Sequence, residues 1–187
     1  MHRAHLILTA LAVSAGSLAA QQSGTLEVGS VAPEFALTAS TRDGVQQTVK
    51  LSDFKGKTVV LAFFPKVRTR GCTIQMKQYR DSYGDLFHDG KDVVLLAISA
   101  DPADAQASWA KDEGFPFRFL SDADGTVGKA YGAWSDQYKL DKRVLYVIGP
   151  DGRITYVADP FREVDPSAYS ELGDAINQAA HAGHHGM

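Results

Sequence analysis

Two short apolar runs with an amphipathic segment between them constrain this chain more than any other feature. Thr58–Phe64 (TVVLAFF) and Asp92–Ser99 (DVVLLAIS) are dense in β-branched, aliphatic and aromatic residues and lack the polar alternation of a half-exposed strand. Strands of that kind are buried on both faces, which requires other elements above and below the sheet. Between them, Met76, Tyr79, Tyr83, Leu86 and Phe87 recur near helical spacing, predicting a helix over Thr73–Phe87 that stops before Asp89-Gly90. Pro102–Glu113 reads as a second helix, closed by Gly114 and with Pro102 suited to its first turn. Phe117–Leu120 is expected as a short strand and Thr126–Ala133 as a short helix. Arg143–Ile148 and Arg153–Val157 flank Gly149-Pro150-Asp151-Gly152, a strong hairpin signal. Ser167–Ala180 closes the pattern as a helix with Tyr169, Leu172, Ala175, Ile176 and Ala179 on one face.

Two β-α-β steps, a hairpin and a last helix make an α/β protein, with a central mixed β-sheet covered by helices on both faces. Right-handed crossovers leave few topologies, and a thioredoxin-like fold is the simplest of them. No internal repeat or long linker interrupts the stretch from 25 to 180, so one domain is expected there. With 187 residues, 44% hydrophobic and 22% charged, the chain is long enough for a real core and has ordinary globular composition. A formal net charge of −3 gives no electrostatic reason to expect nucleic acid as a partner.

The first twenty or so residues read as an address. Arg3 precedes Leu6–Gly16 (LILTALAVSAG), which is uncharged and apolar or small, and Ser17-Leu18-Ala19 offers small residues before the polar Gln21-Gln22-Ser23-Gly24. That three-part pattern predicts a signal peptide over residues 1–20, cleaved near Ala19. A membrane anchor would need about 18 or more apolar residues, so no span is expected in the mature form. Export, to a bacterial periplasm, is the expected localisation.

There is one cysteine, Cys72. A single thiol excludes an internal disulfide, a CxxC pair and any multi-cysteine metal or iron–sulfur site, and no cofactor and no metal are expected. It follows a buried strand and a short loop, at the expected start of a helix, where free backbone N–H groups and the helix dipole favour an anion. Lys66, Arg68 and Arg70 lie in the same loop. A free cysteine is equally often a small buried hydrophobe, and position alone leaves both readings open.

The local pattern separates them. Pro65-Lys66-Val67-Arg68-Thr69-Arg70-Gly71-Cys72 spells Pro-x-x-x-Thr-x-x-Cys, which resembles the active-site signature of peroxiredoxins. At average composition, Pro and Thr fall at those two offsets from a lone Cys by chance on the order of a few times in a thousand. Val28–Leu37, Leu51–Lys57, Ser121–Gly125 and Ala130–Trp134 are similar to further segments of that family, and Arg143 stands where it carries an active-site arginine. The likeness covers roughly residues 25–178. Within the alkyl hydroperoxide reductase and thiol-specific antioxidant superfamily, it is nearest the bacterioferritin-comigratory type.

The resemblance implies a thiol-dependent peroxidase in which Cys72 attacks hydrogen peroxide or an organic hydroperoxide and becomes a sulfenic acid. It implies that Arg143 faces both thiolate and peroxide, that Thr69 and the backbone N–H groups of Gly71 and Cys72 meet the peroxide oxygens, and that Pro65 shields the thiolate. Taken alone, Thr69 could equally cap the helix, Arg143 could be an exposed strand-end charge beside Lys142, and Pro65 could merely end a strand. The chain departs from the pattern in three places. Lys77 stands where many relatives have a resolving cysteine, Gln75 where a glutamate is common, and Arg70 where a proline is frequent. A one-cysteine enzyme must be recycled by an external thiol, either a thioredoxin-like protein or a small thiol. Monomer and homodimer are both compatible with the sequence.

His181, His184 and His185 have metal-compatible spacing, but two glycines and the terminal position predict a flexible tail over 181–187. His88 is expected to complement a helix dipole rather than act as a base. The rival functions are a thioredoxin-fold thiol–disulfide oxidoreductase and a non-catalytic binding module that keeps the fold.

Overall fold

The structure, a computed structural model, describes residues 24–184. The expected signal peptide (residues 1–20) and His185 lie outside the described residues. A seven-stranded sheet is ordered β2-β1-β5-β4-β3-β8-β9. Its strands are β1 (Ala36–Thr41), β2 (Gly44–Lys50), β3 (Thr58–Phe63), β4 (Val93–Ser99), β5 (Arg118–Ser121), β8 (Leu145–Ile148) and β9 (Ile154–Ala158), with β6 (Trp134–Ser135) and β7 (Leu140–Asp141) forming a separate two-stranded ladder. The helices are α1 (Arg70–Asp81), α2 (Tyr83–Phe87), α3 (Ala103–Glu113), α4 (Thr126–Ala130) and α5 (Pro166–His184).

The two apolar runs are the paired central strands. β3 and β4 run parallel in register from Thr58 opposite Val93 to Phe63 opposite Ile98, and every residue of both is buried. The second crossover also returns parallel, β4 to β5, whereas β8 pairs antiparallel with β3 and with β9. The sheet is therefore mixed. Alternate residues of β3 point to opposite cores: Val60 and Ala62 join Cys72, Met76, Tyr79 and Trp109, while Val59, Leu61 and Phe63 join Tyr131, Val144 and Tyr146. No helix among the described residues is long and apolar enough to cross a membrane.

Several boundaries differ from the expectations. The helix predicted over Thr73–Phe87 starts earlier, at Arg70, because Thr69 is the extended residue before it, and it breaks at Ser82 (φ −110°, ψ 22°) into α1 and α2. Pro102 precedes α3 as its N-cap instead of lying in its first turn. α4 ends at Ala130, short of Ala133. The last strand pair begins at Leu145, so Arg143 precedes β8 rather than opening it. α5 runs from Pro166 past Ala180 to His184. The β1–β2 hairpin was not anticipated: its sequence is polar and β2 is largely exposed, so it shows no apolar run to read.

Candidate active site

Cys72 is the third residue of α1 and is fully buried. β3 delivers the chain to this point. The Phe64 N–H still bonds to the Ile98 carbonyl at 2.9 Å, and half-buried Pro65, having no N–H, then ends the ladder. The loop that follows is pinned from the end of β4, where the Val67 N–H donates to Asp101 Oδ2 at 2.9 Å and the Ser99 hydroxyl donates to the same oxygen at 2.8 Å. The first turn of α1 closes when the Thr73 N–H donates to the Thr69 carbonyl at 2.8 Å. The amides of Gly71 and Cys72 come before that bond and have no acceptor one turn back, so they are presented at the helix start. The Thr69 hydroxyl does not cap the helix. It donates to the Lys66 carbonyl at 2.9 Å, which tightens the loop and leaves the oxygen's lone pairs open.

Arg143 reaches this helix start from the stretch before β8, where its carbonyl accepts the Phe161 N–H at 2.8 Å. Its Nη1 lies 3.6 Å from Cys72 Sγ and donates to Gln75 Oε1 at 2.6 Å, while its Nε lies 3.2 Å from Glu163 Oε2. The side chain is only 14% exposed, which removes the reading of an exposed strand-end charge. Lys142, by contrast, is 44% exposed and sits 3.8 Å from Asp159. Burial of Cys72 would by itself suit an inert thiol; a guanidinium turned onto its sulfur does not.

Gln75 extends the network inward. It is buried, and its amide N–H donates to the Tyr79 hydroxyl at 2.9 Å. Because arginine only donates, the amide oxygen must face Arg143 and the nitrogen Tyr79. Burial pushes the Tyr79 phenol well above its usual range, which keeps it protonated. Its ring packs edge-on against Phe87 and Tyr169.

Gly71 has a reason to be glycine that the motif does not reveal. A Cβ there would come 2.6 Å from Glu163 Oε1 and 2.9 Å from Arg143 Nη2, so a side chain would make the ends of both partners shift. The loop cations behave differently from expectation. Arg68 (φ 62°) turns away to α3, where it meets Asp112 at 2.6 Å and Ser108 at 3.0 Å, and Lys66 and Arg70 are exposed. The positive charge placed against the sulfur is therefore Arg143, not the loop. Pro65, Thr69, Gly71 and Cys72 stand together at the turn into α1, with Arg143 brought onto it from 71 residues away.

Glu163 and Asp101 were missed as site residues. Glu163 lies in the irregular stretch between β9 and α5, where no periodicity singles it out from Asp159 or Asp165. His88, expected at a helix end, pairs with Asp92 at 2.8 Å in the turn before β4. Among the described residues, no group of three His, Cys, Asp or Glu is arranged to hold a metal ion.

The chain is similar to known proteins along most of its length. Residues 28–157 match the AhpC/TSA family. The chain is 36% identical to peroxiredoxin Bcp of Escherichia coli (strain K12) over 143 residues, covering 73% of this chain and 88% of that one. It is 41% identical to a chloroplastic peroxiredoxin Q of Triticum aestivum over 135 residues, 72% of this chain and 59% of that one. A crystal structure of peroxidoxin BcpB from Mycobacterium tuberculosis superposes with a TM-score of 0.70 at 27% identity, over 82% of this chain and 97% of that one. A thioredoxin-like sheet, a lone thiol at a helix start and an arginine on its sulfur thus occur in a sequence that matches along most of its length, and the chain belongs to the AhpC/TSA family as a peroxiredoxin of the Bcp type, a thiol-dependent peroxidase.

Proposed function

We propose that Cys72 is the peroxidatic nucleophile, with Arg143, Thr69, Pro65 and the Gly71 amide forming the site that receives a hydroperoxide. The observation that carries this is the Arg143 guanidinium 3.6 Å from Cys72 Sγ at the first turn of α1. A cation and free amides beside the sulfur can meet the negative charge that moves onto the departing oxygen. The thiolate attacks the terminal oxygen of ROOH, so an S–O bond forms as the O–O bond breaks. Sulfur is oxidised by two electrons to Cys–SOH, and the departing RO⁻ takes up a proton to leave as ROH. Arg143 and the helix-start amides stabilise negative charge along this path, Thr69 orients the peroxide, and Pro65 limits water beside the sulfur.

With no second cysteine in the chain, the sulfenic acid condenses with an external thiol, giving a mixed disulfide and water. A second thiol then releases Cys72 and a disulfide. A thiol is larger than a peroxide oxygen and Cys72 is fully buried, so reduction requires a wider opening than attack. The half-buried and exposed residues 65–71 are the part of the site nearest to solvent. The proposal includes export: Leu6–Gly16 and the small residues before Gln21 support a cleaved signal and work in a periplasm. Mass spectrometry of the protein secreted from its host should find a new N-terminus close to residue 20.

Rapid mixing of the reduced protein with hydrogen peroxide and with an alkyl hydroperoxide, with a dimedone-type trap, tests the chemistry. Fast, stoichiometric labelling at Cys72, lost in Cys72→Ser, is the expected result. Labelling no faster than that of a free thiol would overturn the enzymatic reading in favour of a binding module. Turnover of protein disulfides without peroxide consumption would favour a thiol–disulfide oxidoreductase.

A further inference from the structure

We infer that Glu163 is a positioning residue for the reaction: it clamps the Arg143 guanidinium through Nε so that Nη1 is presented to Cys72. The inference rests on Cys72 and Arg143 being the reacting pair and adds a residue from outside the motif. A planar guanidinium turns about its Cδ–Nε bond, and two contacts on one nitrogen do not fix its plane. Both Cys72 Sγ at 3.6 Å and Gln75 Oε1 at 2.6 Å meet the same Nη1. Glu163 Oε2 forms an ion pair with Nε at 3.2 Å, on the other side of the group, and completes the frame.

Three further observations belong to this clamp. Gln75 is neutral, so Glu163 is the carboxylate paired with an arginine that is 14% exposed, where an unpaired charge is costly. Glu163 is itself held in place, because its carbonyl accepts the Tyr169 hydroxyl from α5 at 2.7 Å. The start of α5 is anchored next to it, where Asp165 Oδ1 accepts the Ser167 N–H at 2.9 Å and Pro166 opens the helix. Finally, Gly71 supplies the space: a Cβ there would stand 2.6 Å from Glu163 Oε1, so the carboxylate lies directly over the turn that carries Cys72. The stretch between β9 and α5 thereby governs the orientation of a residue acting at α1.

Glu163→Ala and Glu163→Gln separate clamping from packing. Glutamine keeps a polar oxygen on the Nε side, so Glu163→Gln should retain the Cys72–peroxide rate constant within about threefold, while Glu163→Ala should lose about 10- to 100-fold. Thermal unfolding of both variants checks that the fold is kept. The Arg143 Nε–H resonance in ¹⁵N NMR is a second readout that does not depend on turnover: it should be protected from solvent exchange in wild type and in Glu163→Gln, and exchange freely in Glu163→Ala. Equal rates and equal protection in Glu163→Ala and wild type overturn the inference, as does a Glu163→Gln variant as impaired as Glu163→Ala. If wild-type Cys72 itself reacts slowly with peroxide, the functional reading falls, and the Arg143 resonance still decides whether the clamp exists.

Discussion

Arg143 and Asp141 stand two residues apart, both largely removed from solvent, and the protein treats their charges in opposite ways. Arg143 is met by Glu163, Gln75 and the Cys72 sulfur. Asp141 is fully buried beside α4, and neither of its carboxylate oxygens has a hydrogen-bond partner. Gly128 leaves the space that its Oδ1 occupies. The nearby Asp122 takes the available amides, accepting the Val127 N–H at 3.2 Å and the Gly128 N–H at 2.7 Å. Burial first, and the negative charges of Asp122 and Asp101 after it, push the Asp141 carboxyl up to about 8, so it is largely protonated at neutral pH. A buried charge survives where partners are built around it and is neutralised where they are not.

The largest effect that would break this contrast is at the thiol and its cation. Cys72→Ser should abolish peroxide reduction, and Arg143→Ala should lower the peroxide rate constant by about 100- to 1,000-fold in stopped-flow traces. Arg143→Lys should not rescue it, because a single ammonium lacks the planar fork that reaches Glu163 from Nε and Gln75 and sulfur from Nη1. Next in size is Gly71→Ala, whose methyl group displaces the ion pair and should cost about tenfold in rate. A Gly71→Ala enzyme with wild-type kinetics would mean that the clamp over the turn does not matter.

Asp141→Asn sharpens the other half of the comparison. Between the ordinary carboxylate range and about pH 8, native Asp141 holds a proton that the unfolded chain has released. Stability therefore falls as pH rises through that window. Asparagine removes this dependence, so the variant should be more stable by about 1–3 kcal/mol at pH 8–9, with the gap closing toward pH 4 and activity within about twofold. A stability difference independent of pH would show that Asp141 ionises as freely in the native state as in the unfolded chain. The smallest effect is expected at Lys142→Ala, where a half-exposed lysine 3.8 Å from Asp159 should change stability by about 0.5 kcal/mol or less and leave the rate unchanged.

What could be read in the chain followed the strength of its local signals. β3 and β4 were legible because a doubly buried strand must be apolar at every position, and the β8–β9 hairpin because its turn residues dictate the turn. The β1–β2 hairpin was not, since an edge ladder is held by backbone bonds that any polar sequence can make. That Cys72, Thr69 and Pro65 stand at one turn was legible because they are close in sequence. Arg68 misled, because its partner Asp112 lies on α3, and loop position says nothing about which way a long side chain turns. Glu163 was invisible for the related reason that its importance is a distance to Arg143.

The amino-acid order by itself determined the parallel β-α-β core, the placement of one thiol at a helix start, and the absence of a second cysteine, so that oxidation begun on this chain must be reversed by another molecule. These are properties of composition and short-range periodicity. The tertiary structure decided which cation meets the sulfur, which carboxylate holds that cation, and which buried charge is left without partners. Those outcomes depend on contacts between residues distant in sequence, where a difference of an ångström separates an ion pair from a solvated side chain.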